Sequence, residues 1–311
     1  MHPKTHVIIN PASNKGRTKR RWREIRDSIK TFIKEFKYEF TEKPLHAAEI
    51  ARQVIKDGAE LVIGVGGDGT INEIANGFFD GRSLINPEAT IGIVPSGTGC
   101  DLTKSLNIPP GLGSALKTIT EAWTLRMDVG KVTYTNHQGQ PEERLFLNVA
   151  DFGLGGEVVR KVNERRLKRK ASSYLRCLVE SMLKYRGRKV RITLDGQEMP
   201  TDEYLIGALA NGRVFGKGMK IAPEADLKDG LLDAILIRSM NFLEFLLSAW
   251  KLTNGSHLSH PKVDYSKVRY LEAWPLSPEP VLLELDGEQL GRLPAKFEII
   301  GLGLPIKAGQ R

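Results

Sequence analysis

Three runs of small residues carry the chemistry open to this sequence: Asn10-Pro11-Ala12-Ser13-Asn14-Lys15-Gly16, Gly66-Gly67-Asp68-Gly69-Thr70 and Pro95-Ser96-Gly97-Thr98-Gly99. Each follows a strand-like apolar run. A strand-to-helix connection of that kind presents main-chain N–H groups to a ligand at the edge of an open α/β sheet. Glycines there let the backbone approach phosphate oxygens closely. Asp68 would repel a bare phosphate, so its carboxylate makes sense with a divalent cation between them. A single turn of this type is equally well a plain connection with Asp68 or Thr70 as a cap. Three such turns after three strands would gather at one carboxyl edge, which points to a phosphate site.

The elements that must position these loops alternate in type. Strands are expected at residues 7–9, 38–40, 61–65 and 91–94, and helices at 17–36, 45–56, 72–78 and 114–122. This alternation predicts a doubly wound parallel sheet. Beyond about residue 127, hairpin signals at 136–139, 195–196 and 286–287 separate strand candidates at 190–194, 204–209, 231–237 and 281–285. Helices are expected near 157–186 and 241–252. With 311 residues, two domains are the first expectation. They are an α/β domain over 1–126, with the tail 292–311 expected to pack back on it, and a mainly antiparallel β-rich domain over 127–291.

Composition narrows the function classes. The hydrophobic fraction of 41% and charged fraction of 27% are ordinary for a globular chain. Cys100 and Cys177 show no zinc-type spacing and read as reduced cytosolic thiols. No signal-peptide core is evident, and the strongest apolar run, 242–250, is too short to span a bilayer. The six histidines form no metal cluster, and no Ser, His and Asp set suggests hydrolysis. The net charge of +9 is local: residues 160–191 hold 13 Lys or Arg against Glu164 and Glu180. Leu175, Leu178, Val179 and Met182 recur there at helical spacing, so one face is expected to pack on the core. The charged positions would remain free to meet anionic lipid headgroups. No nucleic-acid motif or stacking platform accompanies them.

Acidic residues supply two further candidates. Asp226, Asp229 and Asp233 lie in a turn-like segment whose oxygens suit magnesium, although by residue type alone solvated turn acids are the better account of them. Asp286 and Glu288 follow a strand candidate, and a carboxylate there could accept the proton of a hydroxyl. Leu194-Asp195-Gly196-Gln197-Glu198 has nearly the same local pattern as Leu285-Asp286-Gly287-Glu288-Gln289, so local sequence does not rank them.

The strings GGDGTINE at 66–73, NPAS at 10–13, PSGTG at 95–99, LNVA at 147–150, GMKIAPEADLKDGLLD at 218–233 and the late DGE at 286–288 together resemble the bacterial lipid kinases of the diacylglycerol kinase catalytic-domain family. The likeness runs over nearly the whole chain. It implies transfer of the γ-phosphoryl group of ATP, with Mg2+, to a hydroxyl of a membrane lipid, and ATP in a cleft between the two domains. Carried over by position, Asn10, Pro11, Ala12, Ser13, Asn14, Thr41, Gly66, Gly67, Asp68, Gly69, Thr70, Ile71, Asn72 and Thr98 would contact the nucleotide. The metal would take the Asp229 carboxylate and the carbonyls of Asp226 and Leu231, in a second domain that also binds the lipid. Asp68 and either Asp286 or Glu288 would be catalytic. Two departures stand out: Asn14 where the family has glycine, a position Asn tolerates at positive φ, and Cys100 where it has Asn. The resemblance also implies a cytoplasmic protein that meets the membrane reversibly and peripherally, and leaves a homodimer open. NAD kinases share GGDGT and are the alternative, as is a catalytically idle nucleotide-binding regulator.

Overall fold

Val7, Ile8 and Ile9 have no exposed surface, and the strand they form, β1 (Thr5–Ile9), lies inside a parallel sheet. The computed structural model describes residues 4–165, 171–216 and 218–310. It divides the chain into two units, Met1–Val129 with Gly301–Arg311, and Gly130–Ile300. Residues 292–300 therefore belong to the second unit, and only 301–311 to the first.

In the first unit, β1 leads through α1 (Ser13–Phe32) to β2 (Lys37–Phe40), then through α2 (His46–Lys56) to β3 (Leu61–Gly66). After α3 (Asp68–Gly77) come the short hairpin β4 (Phe79–Asp80) and β5 (Ser83–Leu84), β6 (Thr90–Pro95), α4 (Asp101–Ser105) and α5 (Leu112–Glu121). β1 pairs in parallel with β2 on one side and β3 on the other, and β3 pairs with β6. The order β2-β1-β3-β6 changes direction between β1 and β3, the switch point at which such sheets bind ligands. β3 is buried along its whole length, as a strand covered on both faces must be. Each fully buried Ile or Val contributes about 1.5–3 kcal/mol.

α2 ends at Lys56, with Asp57 as its C-cap and then Gly58 at φ 83, the left-handed residue that commonly terminates a helix. Regular helix in α1 starts only at Arg17, because Asn14, Lys15 and Gly16 have φ of 50, 59 and 75. The expected helix at 72–78 begins earlier, at Asp68.

The second unit is mainly antiparallel. It takes in most of β7 (Thr124–Asn136), then β8 (Pro141–Phe146), β9 (Val149–Gly153), α6 (Leu154–Glu164), α7 (Ala171–Lys184), β10 (Arg188–Leu194), β11 (Gln197–Glu198) and β12 (Asp202–Ala210). β13 (Leu232–Arg238), α8 (Phe242–Ala249), β14 (Val263–Val268), β15 (Tyr270–Pro275), β16 (Leu282–Leu285) and β17 (Glu288–Lys307) complete it, the end of β17 passing into the first unit. β12 pairs with β9, β10 and β13, and β16 with β9 and β17, all antiparallel. Their inward faces close around Phe146, Phe152, Leu271 and Phe297.

The expected helix over 157–186 is two helices, and residues 166–170 between them, with the Leu175 side chain, lie outside the described residues. Met182 is buried and Leu178 packs beside it. Much of the described basic charge is matched locally. Arg160 bonds Glu157 and Glu164, and Arg165 and Arg176 both bond Glu180. Among the described residues no helix is long and apolar enough to cross a membrane.

Candidate active site

The parallel strands of the first unit release their loops at one level, and main-chain bonds tie the loops together as they leave. The Asn10 N–H donates to the Val65 carbonyl at 3.0 Å, Thr41 N–H to Ile9 at 2.8 Å and Ser96 N–H to Gly66 at 2.7 Å. Side chains add a second layer. Asn10 donates its amide to Thr70 Oγ1 at 3.0 Å and accepts from the N–H groups of Ala12 and Ser13. Hydroxyls of Ser13, Thr18 and Ser96 form a chain with both oxygen separations at 2.5 Å. Gly67 and Gly97 meet backbone to backbone: a methyl group on Gly97 would lie 2.6 Å from Gly67 Cα. Only glycine permits that approach. Left-handed Lys15 costs about 1–2 kcal/mol relative to an ordinary conformation. With Asn14 and Gly16 it opens the turn before α1.

Asp68 stands at the start of α3 and reaches the next loop. Its carboxylate accepts from the N–H groups of Asp101 at 3.1 Å and Leu102 at 3.2 Å, capping α4. Burial pushes the Asp68 carboxyl up, and the amide bonds oppose that shift. Cys100, left-handed at φ 51, is pushed up to about 11, first by burial and then by the charge of Asp68. Lys104 answers the local acid by bonding Asp101 at 2.6 Å.

In the second unit the two Asp-Gly turns prove to be the same device. Asp286 accepts from the N–H groups of Leu147, Asn148 and Val149 at 3.1–3.2 Å. Asp195 accepts from those of Arg269 and Tyr270. Both aspartates sit at φ 46, each using its carboxylate to clasp the backbone of a neighbouring strand. Glu288, 41% exposed at its side chain, has Arg144 3.9 Å away.

The turn at 226–231 offers hard oxygen donors. Asp229 Oδ2 accepts from Lys267 Nζ at 2.6 Å, and Oδ1 from the Leu231 N–H at 3.1 Å. Among the described residues no three His, Cys, Asp or Glu side chains form a metal-holding group. A cation here would thus take one carboxylate, main-chain carbonyls and water, a donor set that fits magnesium, and would share Asp229 with Lys267. Asp233 lies instead in β13, buried, accepting from the Tyr265 hydroxyl at 2.7 Å.

Residues 4–132 match the family described as the diacylglycerol kinase catalytic domain, and residues 148–306 the family described as the YegS C-terminal NAD kinase beta sandwich-like domain. The first domain belongs to the diacylglycerol kinase catalytic-domain family, and the second to the NAD kinase-like sandwich family. A curated relative from Staphylococcus carnosus named diacylglycerol kinase is 29% identical over 96% of this chain and 92% of its own length. A crystal structure of a diacylglycerol kinase from Bacillus anthracis has the same fold, with a TM-score of 0.71 at 20% identity over 99% of this chain and 97% of that one. An NAD kinase from Archaeoglobus fulgidus, solved in complex with ATP, shares the fold more distantly, with a TM-score of 0.50 at 15% identity over 97% and 92% of the two chains.

For this member of a kinase family, which implies use of ATP, the structure brings Asn10 to Asn14, Thr41, Gly66 to Thr70 and Thr98 to the carboxyl ends of β1, β2, β3 and β6. Ile71 instead turns into the core beneath Gly64, and buried Asn72 accepts from the Asn76 amide at 3.0 Å. Glu73 is a structural residue, capping α2 through the Ala47 N–H at 3.2 Å. Sequence reading missed Thr18, whose hydroxyl joins two loops. It also missed Lys267 and the carboxyl pair Asp151 and Glu284. A polar residue amid the apolar run at 149–154 was the one signal for Asp151.

Proposed function

We propose that this chain transfers the γ-phosphoryl group of ATP to a hydroxyl of a membrane lipid, diacylglycerol or a related lipid. What carries the reading is the set of three small-residue loops, cross-linked by Asn10, Thr18 and Asp68, at the switch point of a parallel sheet. Their N–H groups and the left-handed turn at 14–16 suit phosphate oxygens. The name of the Staphylococcus relative supports a lipid acceptor.

In the proposed reaction the acceptor hydroxyl oxygen forms a bond to the γ-phosphorus while the bond from that phosphorus to the leaving ADP oxygen breaks. The hydroxyl proton passes to a carboxylate. Glu288 is the better acceptor, because three main-chain N–H groups already hold Asp286. Asp68 fixes the loop before α4 and adds negative charge beside the phosphate-binding loops. Asp229, with the carbonyls of Asp226 and Leu231, would hold Mg2+, which supplies positive charge where carboxylate and phosphate accumulate. Peripheral association with anionic membranes through 160–191 belongs to the same reading. Its unpaired positive charge rests on exposed residues such as Lys184 and Arg186.

Purified protein incubated with radiolabelled ATP, magnesium and mixed micelles of candidate lipids, with NAD as a competing acceptor, tests the reading. Label in a lipid is the expected result. Label only in NAD would replace it with the activity that the distant NAD kinase fold suggests.

A further inference from the structure

α8 buries none of its residues, which is unusual for a helix so rich in leucine. Phe242 and Phe245 turn toward the apolar cluster built on α6 and α7, around Val158, Cys177 and Met182. The opposite face carries Leu243, Leu246, Leu247 and Trp250, a helical repeat of three and four, exposed by 63%, 53%, 64% and 59%. Leu183 at the end of α7 is 62% exposed. It lines a groove of about 340 Å³ with Arg186, Phe242 and Lys262, which places the apolar ends of α7 and α8 side by side. Contiguous exposed apolar surface of this kind marks an interaction site.

Charge decides the partner. Arg186 lines the groove, and Lys184 and Lys251 adjoin Leu183 and Trp250 in the chain. The acid on α8, Glu244, is neutralised by Lys262 at 2.7 Å. Leucines and a tryptophan on one helix face with a basic rim match a helix lying in the interface plane of a bilayer. We propose that the outer face of α8, with Leu183, seats on an anionic phospholipid surface, its leucines and Trp250 entering the boundary between headgroups and acyl chains. The inference rests on the reading of the acceptor as a membrane lipid. It names a docking element other than the basic segment at 160–191.

The test compares wild type with Leu246→Ser/Leu247→Ser and with Trp250→Phe, by co-sedimentation with vesicles of phosphatidylcholine containing phosphatidylglycerol. Brominated acyl chains report on tryptophan depth. Both variants should keep the wild-type melting temperature, because the altered side chains are exposed. The double variant should bind vesicles about tenfold more weakly for each leucine removed. Quenching by brominated lipid should be largely lost in Trp250→Phe. Phosphorylation of a short-chain diacylglycerol, dispersed as monomers, should be unchanged in the double variant. Wild-type vesicle binding by the double variant overturns the proposal. So does a wild-type dimer that the leucine changes dissociate without effect on vesicle binding. Weakened vesicle binding with no lipid phosphorylated by any of the proteins would leave the docking face standing and remove the lipid-kinase reading.

Discussion

Asp151 on β9 lies directly opposite Glu284 on β16, two buried carboxyl groups in the interior of one antiparallel ladder. Burial first, and the neighbouring Glu284 second, push the Asp151 carboxyl well above the usual range. A second negative charge beside Glu284 is disfavoured in a poorly solvated site, so the Asp151 carboxyl holds its proton to higher pH. Glu284 also accepts from the Gly287 N–H at 2.8 Å. The pair therefore sits at the base of the turn that carries Glu288.

This arrangement gives stability a pH dependence of definite sign. The unfolded chain releases the Asp151 proton near the ordinary value of 3.8, while the folded chain keeps it to higher pH. The folded state binds more protons in that window, so stability falls as pH rises from the ordinary value toward the raised one. Asp151→Asn needs no proton to stay neutral. Melting temperatures from acidic to alkaline pH should decline less steeply in this variant, and equal slopes would show that the pair is ionised in the folded state.

The two Asp-Gly turns separate stability from chemistry. Asp286→Asn sets an amide against main-chain donors that now have a carboxylate, and an unsatisfied buried donor costs about 1–3 kcal/mol. Its melting temperature should fall, and that of Asp195→Asn should fall less, because the 195 turn is exposed. Glu288→Gln should keep the melting temperature and ATP affinity but lose roughly 10²–10⁴-fold in turnover. Full turnover in Glu288→Gln would remove it as the proton acceptor.

Asp68→Asn keeps one acceptor for the amides of Asp101 and Leu102 and loses the other, together with the charge beside Cys100. Nucleotide affinity and turnover should drop as the loop before α4 loosens. The Cys100 thiol, pushed up to about 11, should then ionise at lower pH. Alkylation rates measured against pH, with Cys100→Ser as the control, would show the shift, and an unmoved profile would disconnect the two residues.

Gly97→Ala places a methyl group against Gly67 Cα, so the loops after β3 and β6 must part. ATP binding measured by calorimetry should weaken by tenfold or more. Gly113→Ala in α5, whose added methyl meets nothing within 4 Å, should leave binding unchanged and stabilise the helix slightly, as alanine does in place of glycine.

Lys267 and a metal ion would compete for Asp229. Lys267→Met removes the ammonium group 2.6 Å from the carboxylate and should tighten magnesium binding, read as a larger rise of melting temperature with added magnesium. An unchanged magnesium response would place the cation elsewhere.

What the sequence determined by itself was whatever depends on local pattern. Alternating strand and helix periods from Val7 to Glu121 defined the doubly wound sheet, and hairpin signals beyond it the antiparallel strands. The small-residue loops were legible because tight strand-to-helix turns and close backbone approach require glycine at fixed places, and Asn14 because asparagine tolerates positive φ. Tertiary structure alone decided what the acids do. Asp195 and Asp286 have nearly identical neighbours in sequence, and only their clasped strands, 269–270 and 147–149, show that each is a backbone clamp. Asp68 looked like a lone loop carboxylate until α4 was folded against it. Asp151 and Glu284 are 133 residues apart in the chain and come to face one another only because β9 and β16 pair in that register. A carboxylate's role follows from burial and from the donors around it, and both come from strands distant in sequence.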